Sequence, residues 1–558
     1  MKIIIVGGVA GGASAAARLR RLNEDAEITM YERGEYISFA NCGLPYHIGG
    51  IINDREILLG QTPESFKRRN NVNVFVFHEV LSINRNEKSI TVKNLKSGEI
   101  FLDKYDKLIL SPGAEPIKPD LKGIDSDLIF YLRNIPDTDK INNIIENKAV
   151  KSAVIVGAGY IGIEMAENLA DRGIKVSVVE LLPQVFPILD PEMAIYLQHH
   201  LNQKGIIVKV NTSVVEFNSN TNSIISILND RSSIESDMVI MSVGVRPENT
   251  LAKESGLKIG GKGGIKVNSY MQTDDPDIYA VGDAVEVIDF VSDTPAQIAL
   301  AGPANKQGGI AADHICGKNS QYDGTQGTSI CKVFDLTVAT TGLSEKLLKK
   351  LDIPYIKSYT HSADHAGYYP GASPMVIKLL FSKTDGKILG SQIIGVKGVD
   401  KRIDVIATVV RMHGTIFDLE NLELAYAPPY GNAKDAINIA GNTATNIFTG
   451  DVKAFYSEDL SKINLSEYVL LDVRTKAEYE MGYIPGSILI PIDELRGRLS
   501  EIPKDKKIIA YCAVGQRGYY AARILIQMGY DSYNLSGGFK TYCAFNYDKF
   551  PQFCSFQV

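Results

Sequence analysis

Two stretches of the chain follow one pattern, and a chain that repeats it has few ways to fold locally. "KIIIVGGVAGGASAAARLRRL" opens as an apolar strand at Lys2, passes a glycine-rich turn and runs on as an alanine-rich helix. "ITMYE" then follows as a second strand ending in an acid. "SAVIVGAGYIGIEMAENLADRG", from Ser152, repeats the order, with "KVSVVE" as its closing strand. Strand, tight turn, helix and strand within roughly 30 residues make the βαβ unit of a dinucleotide-binding half. Glycines there permit a tight turn, close approach of backbone N–H groups to a pyrophosphate, and close helix–strand packing.

The second turn fits the G-x-G-x-x-G spacing fully, with Gly157, Gly159 and Gly162. The first offers Gly7, Val9 and Gly12 at the same positions, with Gly8 and Gly11 as additional glycines. Glu32 lies 20 residues beyond Gly12 and Glu180 lies 18 beyond Gly162, where a carboxylate bonds ribose hydroxyls. A carboxylate at Glu180 repels a 2′-phosphate, and "ELLPQ" supplies no arginine to receive one. NADH is therefore expected over NADPH at the second site.

"DIYAVGDAVEV", residues 277–287, sets Gly282 and Asp283 after a short apolar strand. This resembles the second flavin signature of the two-dinucleotide-binding flavoproteins, in which the aspartate bonds the ribityl chain. With Gly113 in the "SPGA" turn, the resemblance covers most of residues 1–320. It implies FAD at the first turn and NADH at the second, with Glu164 near the flavin–nicotinamide junction.

At 558 residues the length suits roughly three to five domains. The order of motifs suggests a first nucleotide domain interrupted by a second, which chain anatomy permits. The expected division is an FAD-binding domain over 1–120 and 246–326, with an NAD-binding domain over 121–245. An α+β dimerisation domain over 327–447, a linker at 448–456 and a rhodanese domain over 457–558 complete it. The expected fold class is thus α/β: two Rossmann-like dinucleotide-binding domains, an α+β dimerisation domain and a C-terminal α/β rhodanese domain.

The segment "YISFANCGLPYHIGG", residues 36–50, holds one cysteine, Cys42, soon after the first βαβ unit. Only a thiolate is a sulfur nucleophile, and no second cysteine stands near it in sequence. The segment resembles the single-cysteine branch of this flavoprotein group, which includes coenzyme A-disulfide reductases, NADH peroxidases and oxidases, and NADH-dependent persulfide or polysulfide reductases. "SFANCGLPY" is closest to the coenzyme A-disulfide reductases, in which the cysteine alternates between thiolate and a mixed disulfide with coenzyme A.

"HAGYYPGASP" and "LAYAPPYGNAKD" resemble the dimerisation domain of those reductases, where a pair of tyrosines reaches the partner subunit's active site. Spacing favours Tyr368 and Tyr426, with Tyr369 and Tyr430 as close rivals. A phenol at hydrogen-bond range can protonate or orient a departing thiolate. By the same resemblance Ser14, Arg18, Arg21, Ser38, Asn41, Asn305 and Lys434 are candidates for contact with coenzyme A. The basic ones suit its phosphates.

The last hundred residues, with "YVLLDVRTKAEYEMGYIPGSILIP", "IIAYCAVGQRGYYAARILIQMGY" and "NLSGGF", resemble a rhodanese domain. Cys512 ends a strand and opens a loop leading to a helix. Successive N–H groups and the helix N-terminus there lower a thiol pKa and suit a persulfide anion. Cys512 to Arg517 is C-x4-R, the rhodanese loop length, whereas the related phosphatases use a longer loop. Asp472 and Arg474 resemble the structural Asp-x-Arg of that fold, and Tyr483 stands where it usually carries histidine. Cys316, Cys331, Cys543 and Cys554 have no motif around them and read as packing or surface residues.

A net charge of −6 and a pI near 5.9 argue against a nucleic-acid or anionic-membrane partner. Six cysteines without a C-x-x-C pair form no disulfide framework. Met1 runs directly into the first strand, and no apolar run approaches the ~18 residues of a membrane span. No metal site is expected. The whole suggests a cytoplasmic homodimeric flavoenzyme that uses FAD, NADH and coenzyme A to reduce persulfide, polysulfide or coenzyme A disulfide at Cys42, with Cys512 as sulfur carrier. An NADH oxidase or peroxidase cycling Cys42 through sulfenic acid, and a redox- or sulfur-sensing binding protein, are the alternatives.

Overall fold

The computed structural model describes residues 1–556. The chain divides into two compact units, residues 1–181 with 212–327, and residues 182–211 with the chain from 328 onward. In the first unit, five parallel strands stand in the order Ile278–Ala280, Lys107–Leu110, Lys2–Val6, Glu27–Glu32, Asn73–Val76. The edge strand Ile278–Ala280 comes from chain beyond the second βαβ unit, so the first sheet is completed by residues on both sides of the second in sequence. Ile3, Ile4 and Ile5 are fully buried, as expected of a parallel strand covered on both faces. The second sheet has Ile129–Phe130, Met238–Met241, Ser152–Val156 and Lys175–Val179 side by side, again parallel.

Two glycines set the height of the helices over these sheets. A Cβ on Gly12 would lie 1.9 Å from the Gly7 carbonyl oxygen, and one on Gly162 would lie 2.0 Å from that of Gly157. Any side chain there would lift the helix off its turn. Helix Ala301–Ile315 packs as closely on helix Ala10–Leu22: a Cβ on Gly308 would be 2.4 Å from the Gly11 oxygen.

The second unit contains a five-stranded antiparallel sheet in the order Ser329–Val333, Leu336–Gly342, Ile388–Gly395, Pro374–Ser382, Tyr355–Ala363. It also contains a parallel sheet in the order Lys453–Phe455, Ser532–Leu535, Lys507–Tyr511, Tyr468–Asp472, Ser487–Leu489. The stretch "GNTATNIFTGDVKAFYSEDL" is therefore no extended linker. Its start completes helix Ala436–Phe448, whose Asp435 cap and apolar face fix it on the antiparallel sheet. Within 448–456, residues Lys453–Phe455 form an edge strand of the parallel sheet, because their backbone groups find partners in Ser532–Leu535.

Lys378 lies in "PMVIKLLFS", which reads as an almost unbroken apolar strand, and it is fully buried. Its Nζ lies 2.9 Å from Asp190, 2.5 Å from Glu192 and 2.6 Å from Glu345. The three carboxylates converge closely, and the ammonium is their counter-charge. Lys357 donates to Glu345 at 2.8 Å and also pairs with Glu458, so the network reaches the start of the parallel-sheet portion. A buried charge costs several kcal/mol unless it is paired in this way. Among the described residues no helix is long and apolar enough to cross a membrane.

Candidate functional site

Both glycine turns are built alike. Gly8 N–H donates to Glu32 Oε2 at 2.8 Å and Gly34 N–H to Oε1 at 2.8 Å. Ala158 N–H donates to Glu180 Oε2 at 2.7 Å. Each strand-end acid thus braces its own glycine turn. The helices that follow, Ala10–Leu22 and Tyr160–Asp171, have no side-chain cap and no acid in the first turn. Their first N–H groups remain open to an anion. Gly159 has free space where a Cβ would stand, as close approach of a pyrophosphate requires. These features fit a dinucleotide at each turn.

Gly113 and Gly282 both take positive φ, 77° and 80°, in the turns that end strands Lys107–Leu110 and Ile278–Ala280. Asp283, next to Gly282, is largely desolvated, and burial pushes its carboxyl up while Arg133 pulls it down. Arg133 donates to the Pro112 carbonyl at 3.3 Å. Burial and then Arg33 hold its own proton affinity below the usual arginine value. No motif in the sequence marks Arg133; only the folding of its loop against the "SPGA" turn reveals it.

Cys42 lies in the short helical turn Asn41–Gly43 that leads into helix Leu44–Ile48. Its side chain is open to solvent on one side and walled by protein on the other. Its N–H donates to Asn41 Oδ1 at 3.2 Å. Burial, then the negative charges of Glu164 and Asp283, push the Cys42 thiol up. Burial likewise pushes Glu164 up to about 7, against the Tyr46 hydroxyl that donates to its Oε1 at 3.4 Å. Tyr46, only four residues past Cys42 in sequence, is a partner of Glu164 that sequence reasoning missed. The other cysteine of this unit, Cys316, caps helix Ala301–Ile315 beside Asp313 and Arg18. Cys42 and Cys316 thus sit in different neighbourhoods.

Ser14 and Arg18, on helix Ala10–Leu22, face helix Ala301–Ile315. Ser14 Oγ lies 2.8 Å from Asn305 Oδ1, and Arg18 Nε lies 2.8 Å from Asp313 Oδ1. Arg21 and Asn305 are exposed along the same seam. Ser38 and Asn41 come from the Cys42 segment, and Ser38 holds a left-handed backbone at φ 47°. Such a conformation is costly outside glycine and clusters at functional loops. Lys434 is exposed in the second unit.

In that unit the hydroxyls of Tyr368 and Tyr426 lie 2.8 Å apart, and both rings are exposed. The bond to Tyr426 pushes the Tyr368 phenol up. Of the rivals, Tyr369 packs edge-on to His365, and Tyr430 stands out in solvent.

Cys512 is fully buried at the end of strand Lys507–Tyr511. Gly515, at φ 100°, aims its N–H at Sγ over 3.2 Å, and helix Gln516–Gln527 begins directly after it. Arg517 makes two hydrogen bonds to Glu478, of 2.8 and 2.5 Å, and also faces the Cys512 sulfur. Glu478 carried no expected role, since its partner lies 39 residues away. Arg474 bonds Asp472 at 2.6 Å and the Gly482 carbonyl at 2.7 Å. Tyr483 stacks on Tyr479 with ring centroids 4.3 Å apart. Cys331, Cys543 and Cys554 are buried among core side chains.

Residues 1–308 match the family model for pyridine nucleotide-disulphide oxidoreductases, and residues 328–436 match that family's dimerisation domain. Residues 457–545 match the rhodanese-like domain. The coenzyme A disulfide reductase of Staphylococcus haemolyticus is 38% identical over 449 residues, 80% of this chain and 100% of that one. The reduced Bacillus anthracis CoADR-RHD superposes with a TM-score of 0.96 at 51% identity, over 98% of each chain. An NAD-dependent persulfide reductase from A. fulgidus superposes with a TM-score of 0.90 at 36% identity, over 98% of this chain and 100% of that one.

Proposed function

We propose that this chain, which belongs to the pyridine nucleotide-disulphide oxidoreductase family and continues into a rhodanese-like domain, is an NADH-dependent reductase of coenzyme A persulfide, polysulfide and coenzyme A disulfide. The observation that carries this reading is the isolation of Cys42. The one other thiol of its unit, Cys316, lies beside Arg18 and Asp313, while Cys42 lies beside Glu164 and Asp283. The sulfur that Cys42 bonds in turnover therefore comes from outside that unit.

FAD held on the turn of Gly7, Gly8, Gly11 and Gly12, with Glu32 at its ribose and Asp283 at its ribityl chain, would supply a two-electron carrier between NADH and sulfur. Gly157, Gly159, Gly162 and Glu180 would hold the nicotinamide dinucleotide. The Cys42 thiolate attacks the outer sulfur of a coenzyme A persulfide. A bond forms from Cys42 to that sulfur, the substrate S–S bond breaks, and coenzyme A departs as its thiolate. Reduction of the Cys42 persulfide, by one proton and the two electrons that FAD would relay from NADH, releases hydrosulfide and restores the Cys42 thiolate. With coenzyme A disulfide the same attack leaves a mixed disulfide on Cys42, and reduction frees the second coenzyme A.

Tyr368 and Tyr426 donate a proton to the departing thiolate, across a homodimer interface. Cys512 takes sulfane sulfur from a donor as its own persulfide, cradled by the Gly515 amide and balanced by Arg517. It passes that sulfur to the coenzyme A thiolate, which carries it to Cys42. The test is NADH-dependent sulfide release from polysulfide and from coenzyme A persulfide, compared for wild type, C42S and C512S. Loss of all turnover in C42S, with C512S slowed only for donors other than coenzyme A persulfide, supports the relay. Unchanged rates in C512S with every donor contradict it. Faster consumption of oxygen or peroxide than of persulfide would transfer the assignment to an oxidase or peroxidase.

A further inference from the structure

Strand Tyr355–Ala363 is an edge of the antiparallel sheet, with its outward backbone groups available to a neighbour. The neighbour is the turn that closes the Cys512 site. Tyr359 N–H donates to Ser536 Oγ at 3.2 Å, and His361 Nε2 lies 3.0 Å from Thr541 Oγ1. A Cβ on Gly537 would lie 2.9 Å from the Cβ of Tyr359, so turn and strand touch without room for a side chain.

The opposite side of this turn carries the Cys512 loop. Phe539 N–H donates to the Cys512 carbonyl at 2.8 Å and Lys540 N–H to that of Ala513 at 2.9 Å. A Cβ on Gly538 would be 2.4 Å from the Cys512 oxygen and 2.7 Å from the Gly515 nitrogen. That nitrogen is the one aimed at the Cys512 sulfur. One turn of chain, Ser536–Phe539, therefore stands between strand Tyr355–Ala363 and the amide cradle.

The strand itself is held firmly. Tyr359 is buried and its hydroxyl donates to Glu192 Oε1 at 2.8 Å. Tyr456 donates to the Lys357 carbonyl at 2.8 Å. His361 is uncharged at working pH, because burial and then the nearby Lys540 push it down to about 3. Its bond to Thr541 thus does not switch as pH changes.

We propose that Tyr359 and His361, on a strand of the dimerisation sheet, are positioning residues for sulfur transfer at Cys512. They act through Ser536 and Thr541 to fix the turn that sets the Gly515 amide. The inference rests on the reading of Cys512 as the sulfur carrier. It goes beyond that reading by making the rhodanese-like site depend on residues more than a hundred positions away.

The test uses the full-length, FAD-loaded protein and four substitutions: H361A, H361Q, T541V and T541S. Three readouts are taken: sulfur transfer from glutathione persulfide to cyanide, the pH–rate profile of Cys512 alkylation followed by peptide mass, and NADH-dependent reduction of coenzyme A disulfide. H361A and T541V are expected to lose about tenfold in sulfur transfer. Their alkylation profile moves to higher pH, because the amide retreats from the thiolate. H361Q and T541S keep a hydrogen-bonding group and return to within about twofold of wild type. Coenzyme A disulfide reduction is unchanged in all four. Wild-type sulfur transfer and an unmoved profile in both H361A and T541V overturn the inference. Absence of any persulfide on Cys512 in the wild type overturns the reading beneath it. If H361A does not fold, T541V decides, since it replaces only a hydroxyl by a methyl.

Discussion

Glu478 holds Arg517 by two hydrogen bonds, of 2.8 and 2.5 Å, on the rim of the loop that encloses Cys512. The same carboxylate caps its own helix through Thr475, so it ties two elements to one loop. Arg517 faces the Cys512 sulfur with its position already fixed. E478Q breaks the pairing and lowers sulfur transfer by about tenfold, and R517K does not substitute for arginine because a lysine cannot make the fork. Steady-state cyanolysis of a persulfide donor checks both.

The pair also gives stability a pH dependence. Arg517 holds the Glu478 carboxyl down to about 2, below its ordinary value of 4.5. The stabilisation is therefore complete above pH 4.5 and is lost as pH falls towards 2. Solvent screening keeps it below about 1 kcal/mol. Urea midpoints of wild type and E478Q should differ at pH 7 and converge at low pH.

Glu164 behaves in the opposite sense. Burial raises its carboxyl from 4.5 to about 7, so the folded chain holds a proton that the unfolded chain has lost between those values. Its contribution to stability falls as pH rises through that window. Above pH 7 its charge opposes the Cys42 thiolate. E164Q should accelerate alkylation of Cys42 at pH 8 by about threefold and flatten its pH profile. Peptide mass analysis of timed iodoacetamide reactions reads this directly.

The 2.8 Å contact between Tyr368 and Tyr426 predicts non-additive kinetics. Y368F and Y426F should each lower kcat with coenzyme A disulfide by about tenfold. The double substitution should cost little more than either alone, because one bond joins the pair.

Glu180 accepts a hydrogen bond from the Ala158 amide, and the proposed function also sets it at the ribose of NADH. E180A should therefore raise KM for NADH by about tenfold while narrowing the preference over NADPH. Measuring kcat/KM with both coenzymes separates loss of the turn from loss of discrimination.

Much of the fold was legible because its constraints are local. Gly12 and Gly162 have no room for a side chain, and "IIIV" and "AVIV" announce strands buried on both faces. Cys42 and Cys512 stood out in motifs a few residues long. What escaped depends on chain brought together from afar. Lys378 sits in an apolar strand and becomes intelligible only beside Asp190, Glu192 and Glu345. Arg133, Glu478 and His361 have no spacing rule, since their partners lie on other elements. Residues 448–456 read as a linker for the same reason: strand Lys453–Phe455 exists because Ser532–Leu535 lies ready to pair with it.

In the proposed cycle the second sulfur at Cys42 belongs to a small molecule. Peptide mass analysis of the purified protein, with and without reductant, tests it most directly. An adduct of coenzyme A mass is expected on the Cys42 peptide, removed by dithiothreitol and absent in C42S. A Cys42 peptide that carries only oxygen adducts, or a disulfide to another cysteine of the chain, would contradict it.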